Sequence, residues 1–309
     1  MDRYELVLGL PHTNYLGLAE HLLLMHAGHF QWTSIARAIG VPLSSLRTSR
    51  GKEVYATFYF IEERFPDEAL LNRFRLDERV SFAVFLRAFK GIAVEGKIVF
   101  DHHDRLRDWL ATAPALPSDD DIDRHPYIRF ANIFITPEAG NSRLKVAAPV
   151  GAGFSGMPIL PDEENPYHLC KLARETGSLG LLSDDWRGLD VRSDFEVGYA
   201  IDQERDTNGA GLVYFANYVG YMNTAEREAM RANSQRPFSD AEIAGRLVRR
   251  RRVAYYGNVS PTDRIRTRVR LFQAGQDGPN VGSQLEIRRE EDNQLICLSE
   301  AIKVLAPAG

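Results

Sequence analysis

Over residues 15–39, Leu18, Leu22, Met25 and Ala27 recur at helical spacing and are followed by Trp32, Ile35 and Ile39, giving one broad apolar face. Gly40 and Pro42 supply a helix stop, and Thr13 or Asn14 is placed to cap the start. So long and apolar a segment predicts a helix buried in the curl of a sheet. The period then shortens. Residues 54–61 and 80–89 are rich in aromatic and β-branched side chains, and 96–100 is a third candidate strand. A charged, proline-containing stretch, 101–123, separates these from further strand character at 127–136 and 143–148. Residues 149–194 read as a connector, with Gly151, Gly153, Gly156, Pro158, Pro161, Pro166 and one short helical candidate at 167–175.

The order then repeats. A strand at 195–202 is followed by a long helix at 212–230 and by strands at 247–256, 265–272, 282–288 and 295–305. Residues 265–271 alternate cleanly between apolar and charged, as an antiparallel strand with one wet face should. Two copies of a long helix followed by antiparallel strands predict an α+β fold, a double hotdog in which each helix is wrapped by a curved sheet. The expected boundaries are 1–150 for the first hotdog domain, 151–194 for the connector and 195–309 for the second.

Composition narrows the function. The 309 residues are 44% hydrophobic and 26% charged, which excludes a disordered chain. A formal net charge of -4 argues against a globally basic nucleic-acid binder. The two cysteines, Cys170 and Cys297, are far apart and form no CxxC, so neither a disulfide framework nor a cysteine zinc site is expected. No apolar run approaches the roughly 20 residues that span a bilayer, and the acidic start is unlike a signal peptide. A cytoplasmic protein without membrane or nucleic-acid partners is the expectation. Neither a P-loop nor GxGxxG follows a strand, and no three-ligand metal set is evident.

Four groups of residues carry candidate chemistry. Asp206-Thr207-Asn208-Gly209-Ala210-Gly211 leads into the second long helix, where turn and helix amides could stabilise a negative oxygen and Asp206 or Asn208, with Asn217 beyond, could orient an acyl group. The same residues also suit a simple capped turn. His12 and Glu20 could form an acid/base pair, as in a dehydratase, and His29 could line a cleft beside Gly28; each also suits ordinary packing. Tyr55 and Tyr59 lie on a strand, where a tyrosine normally packs. With an ordinary pKa of about 10, a phenol needs an adjacent base or cation to attack a thioester. In the run Arg249-Arg250-Arg251-Arg252, Arg249 and Arg251 should share one face, either guarding a strand edge or receiving the phosphates of coenzyme A or an acidic carrier protein.

Four blocks taken in order give a resemblance over nearly the whole chain: Leu8-Gly9-Leu10-Pro11-His12; residues 17–24 with Gly28, His29 and Trp32; Val54-Tyr55-Ala56-Thr57-Phe58; and residues 208–227. The chain resembles the bifunctional acyltransferase/decarboxylase family of polyketide biosynthesis, of the leinamycin-pathway type. The resemblance implies a double hotdog that takes methylmalonyl from methylmalonyl-CoA, decarboxylates it and transfers propionyl to an acyl carrier protein. It implies an acyl ester on a tyrosine, mapped to Tyr55 with Tyr59 as the alternative, and no cofactor beyond the coenzyme A thioester. Malonyl-CoA is the alternative donor, and monomer and homodimer are both compatible. The turn at 206–208 also resembles hotdog thioesterases, but Ala210 and Gly211 stand where the plant-type acyl carrier protein thioesterases place a histidine. An acyl-CoA or acyl-carrier thioesterase is therefore one rival reading, and a non-enzymatic acyl-carrier binding module another.

Overall fold

A long helix with a broad apolar face needs a sheet wide enough to cover it. The computed structural model describes residues 1–138, 143–189, 195–275 and 280–305. It comprises two units, one of residues 1–137 with 145–166 and the other of 138–144 with 167–309. The first half of the expected connector thus packs with the first unit and residues 167–189 with the second, while 190–194 lie outside the described residues.

The strands are β1 (Asp2–Val7), β2 (Thr13–Asn14), β3 (Gly17–Leu18), β4 (Tyr55–Arg64), β5 (Arg79–Phe89), β6 (Ala93–His102), β7 (Tyr127–Glu138), β8 (Arg143–Val146), β9 (Trp186–Leu189), β10 (Glu196–Ala200), β11 (Leu247–Tyr255), β12 (Arg264–Ala274), β13 (Asn280–Arg289) and β14 (Leu295–Val304). The helices are α1 (Glu20–Ile39), α2 (His103–Leu110), α3 (Tyr167–Thr176), α4 (Gln203–Asp206), α5 (Phe215–Ala232) and α6 (Asp240–Gly245).

In the first unit the strands run β1-β5-β6-β7-β4, every neighbour antiparallel. Helix α1 touches all five. Phe30 stacks on Tyr4 of β1 with ring centroids 4.4 Å apart and meets Phe82 of β5 at 5.0 Å. Gln31 lies over Gly96 of β6 and donates to Asn132 Oδ1 of β7 at 2.9 Å. Trp32 Nε1 donates to the Ala56 carbonyl of β4 at 3.1 Å. In the second unit the order is β11-β14-β13-β12-β10, again antiparallel, with β9 also pairing β12. Helix α5 crosses this sheet: Tyr221 packs on Tyr199 of β10, Tyr218 on Tyr255 of β11, and Glu226 bonds Ser283 of β13 and Lys303 of β14. The expected double hotdog is therefore present. No helix among the described residues is long and apolar enough to cross a membrane.

Several expectations need correction. Helix α1 begins at Glu20, five residues later than Tyr15, and neither Thr13 nor Asn14 caps it. These residues instead form the β2–β3 hairpin, whose Gly17 has φ 130° and lies so close to the 71–74 backbone that an added Cβ would fall 2.5 Å from the Leu71 carbonyl oxygen. Helix α5 likewise starts at Phe215, because residues 207–213 close a turn through the Thr207–Val213 bridge. The charged 101–123 stretch contains α2, which buries Leu106 on the outer side of β5 and β6 with Phe85, Val99 and Tyr127.

The polar centre of the first unit is sterically specified. A Cβ at Gly96 would fall 1.6 Å from Gln31 Oε1, so only glycine lets that buried side chain lie flat on the sheet and reach Asn132. Gly96→Ala is expected to cost about 1–3 kcal/mol of unfolding free energy by displacing Gln31 and stranding Asn132. The Gly96→Ala/Gln31→Ala double variant should lose less than the sum of the single losses in urea titrations. Additive losses would show that the two positions do not conflict.

Candidate functional site

Tyr55 opens β4 immediately after a tight loop. Residues 47–53 fold back so that Arg47 and Glu53 form a β-bridge, Thr48 and Gly51 closing the turn between them. Glu53 and Tyr55 are two residues apart on extended chain and so share a side. The phenol donates to Glu53 Oε2 at 2.6 Å. Glu53 Oε1 lies 3.8 Å from Arg47 Nη2, and Arg47 Nη1 is held by the carbonyls of Ser44 and Leu46 at 2.8 Å each. The bond to Glu53, burial and the carboxylate charge raise the Tyr55 phenol above its ordinary value, against the opposing pull of Arg47. Tyr55 therefore rests as a neutral phenol with a carboxylate on its proton. Tyr59 is the extra residue of a β-bulge, since Phe58 opposes Asn132 and Phe60 opposes Ala131. Its hydroxyl is buried and donates to Asn165 Oδ1 at 2.8 Å.

His29 is exposed on α1, one turn before Trp32, whose indole bonds the carbonyl next to Tyr55. Two further histidines are near it. The His12 and His26 rings meet edge-on at 5.0 Å, and His12 Nδ1 accepts the Gly9 amide at 2.9 Å. Burial, then the charges of His12 and His29, lowers the His26 pKa. Among the described residues no three His, Cys, Asp or Glu are grouped to hold a metal ion.

In the second unit the 206–213 turn gathers Asp206, Asn208 and Asn217. Asp206 is 2% exposed and accepts from the Asp202 amide at 2.9 Å and the Tyr199 hydroxyl at 3.2 Å. Its carbonyl accepts from Asn217 Nδ2 at 2.9 Å and from the Tyr214 amide at 2.8 Å. Asn208 Oδ1 accepts from the amides of Ala210 and Leu212 at 3.0 and 3.2 Å, and Gly211 supplies φ 70°. The acceptor oxygen of Asn208 is thus spent on its own turn, leaving its Nδ2 group as the donor available to a ligand. Asn217 braces the turn from the first helical turn of α5. Ala210 contributes only a methyl group and a backbone amide.

The arginines do not follow the expected alternation. Val248 pairs with Lys303 and Arg250 with Ile302, so Arg249 is the extra residue of a bulge and no longer shares a face with Arg251. Arg251 is 1% exposed and donates to Asn223 Oδ1 of α5 at 2.7 Å, beside Glu226. A buried guanidinium committed to the core is no landing surface, which corrects the docking role expected of Arg251. Arg249 and Arg252 are partly exposed, and Arg252 Nη1 bonds the Leu179 carbonyl at 3.0 Å. Both cysteines are buried, and burial raises the Cys297 thiol well above its ordinary value, so neither is set up as a nucleophile.

Glu53 and His26 were not singled out from sequence. Glu53 had a usable signal, its i, i+2 spacing to Tyr55 on extended chain; His26 becomes a neighbour of His12 only through the 9–19 fold-back.

No family model matches the chain, and no curated protein matches it. Solved structures do match. An acyl-ACP thioesterase from Bacteroides thetaiotaomicron aligns with TM-score 0.61 and 12% identity over 98% of this chain and 97% of that one. A Lactobacillus plantarum protein assigned as an oleoyl thioesterase gives TM-score 0.66 and 10% identity, covering 99% and 95%. The 12:0-ACP thioesterase from Umbellularia californica gives 0.59 and 9%, covering 99% and 94%. At these identities the likeness is one of fold, and it extends over the full two-hotdog length.

Proposed function

We propose that the protein is an acyltransferase/decarboxylase that accepts methylmalonyl from methylmalonyl-CoA, releases carbon dioxide and passes propionyl to an acyl carrier protein. The observation that carries this reading is the make-up of the 206–213 turn. The turn keeps a buried Asp206 and an Asn208 whose side-chain oxygen is spent on the turn, but Ala210 and Gly211 offer no imidazole to activate water. A site of this kind can hold an acyl thioester without being equipped for that type of hydrolysis. Within the first unit, Tyr55 is the acyl acceptor of this reading, and its Glu53 contact answers the need for an adjacent base. Decarboxylation of a malonyl-type thioester needs the carboxylate out of water and the enolate oxygen met by preorganised donors. Asn208 Nδ2 is a donor of that type.

The full-length structural neighbours favour a second reading, an acyl-CoA or acyl-ACP thioesterase. Intact-protein mass spectrometry after incubation with methylmalonyl-CoA, with and without a carrier protein, separates the two. Propionyl on the protein and then on the carrier, with carbon dioxide released, is the expected result. Steady hydrolysis without a carrier and without an adduct would establish the thioesterase.

A further inference from the structure

Glu53 touches the one atom of Tyr55 that must lose a proton for the phenol to become an acyl acceptor. The O–H donates to Glu53 Oε2 at 2.6 Å, a length typical of a charge-assisted bond to a carboxylate. The second oxygen lies 3.8 Å from the Arg47 guanidinium. The pair is also accessible: Glu53 is exposed and Tyr55 partly so, as reaction with a large thioester requires. We propose that Glu53 is a catalytic residue, the proton acceptor and donor for acyl transfer at Tyr55; this rests on the acyl-tyrosine reading above.

The step balances without a further reactant. As Tyr55 Oη bonds to the thioester carbonyl carbon, its O–H bond breaks and the proton passes to Glu53 Oε2. The carbonyl re-forms from the tetrahedral oxyanion, the C–S bond breaks with its electron pair on sulfur, and Glu53 returns the proton to that sulfur. The products are the tyrosyl ester and free coenzyme A thiol, with Glu53 ionised again. Delivery to the carrier runs the same events in reverse, with the carrier thiol as nucleophile. A phenol is far less acidic than a carboxyl, so the proton must move as the C–O bond forms. A preformed hydrogen bond to the accepting oxygen is the geometry that such a concerted transfer needs.

The test is the rate of ester formation on Tyr55, followed by acid quench, intact mass and peptide mapping after mixing with methylmalonyl-CoA. Glu53→Gln should load Tyr55 about 10²-fold more slowly than the unaltered protein at neutral pH. Its rate should climb with pH toward the ionisation of the phenol, whereas the rate of the unaltered protein should climb less steeply over the same interval. Equal circular dichroism spectra would establish that the variant is folded. Loading by Glu53→Gln at the unaltered rate, with the same pH profile, would overturn the role of Glu53 and leave the acyl-tyrosine intact. Absence of any adduct on the unaltered protein would instead remove the acyl-tyrosine, and this proposal with it.

Discussion

Tyr55→Phe should leave the protein folded and abolish acyl transfer. The substitution removes one oxygen and keeps the ring on β4, opposite Ile135. Among the described residues the hydroxyl's hydrogen bond is to Glu53, whose side chain is 58% exposed, so stability should change by less than about 1 kcal/mol. Loss of a covalent nucleophile is far more severe, and propionyl-carrier formation should fall by about 10³-fold or more. Carrier mass spectrometry and carbon dioxide release, read in parallel, separate transfer from decarboxylation. Full transfer by the variant, or an adduct mapped to Tyr59, would move the nucleophile elsewhere.

The largest effect on stability is expected at Glu226. Its carboxylate is 2% exposed on α5 and is met by Lys303 Nζ, by Arg246 Nε at 3.1 Å and by Ser283 Oγ at 2.6 Å. Asn223, one turn earlier, takes Lys303 and Arg251 at 2.7 Å each. Burial alone would raise the carboxyl pKa, but Lys303, Arg246 and Arg251 outweigh it and hold it at about 2 against an ordinary 4.5. A folded value below the unfolded one stabilises the protein above the unfolded pKa, and that contribution is lost as pH falls from 4.5 toward 2. Glu226→Gln keeps the shape but removes the charge, and should cost about 3–5 kcal/mol in urea unfolding by leaving buried cations unmatched. Its acid-unfolding curve should also be flatter over that pH interval. The Glu226→Gln/Lys303→Met double variant should lose less than the two single losses combined.

Much of the fold could be read from the chain because both long helices and most strands carry strong apolar periodicity. What was hidden was local conformation that overrides it. Residues 15–19 continue the apolar pattern of α1, yet Gly17 forces a hairpin against the 71–74 backbone. Gly96 looked like the start of a strand; β6 in fact begins at Ala93, and the glycine is there for Gln31. In α2, Leu106 is the one fully buried side chain among charged neighbours, too sparse a stripe to show in sequence. The candidate site was legible where side chains lie close in sequence, as in the 206–217 turn. The ion cluster was not: Glu226, Arg246, Arg251 and Lys303 are brought together only by tertiary structure, and charged residues usually signal surface.

The bulge in β11 has a consequence for how this strand tolerates insertions and deletions. Pairing resumes at Arg250 opposite Ile302, directly after Val248 opposite Lys303, so the ladder itself uses three arginines and carries a fourth. Because the four are identical, loss of any one gives the same shortened run. That run can close up into an uninterrupted ladder with an arginine still opposite Ala301 on the helix-facing side. A three-arginine strand would thus keep its buried guanidinium and lose only the local extra twist that a bulge imparts. Relatives of this chain that differ in length at this point can therefore share the same core.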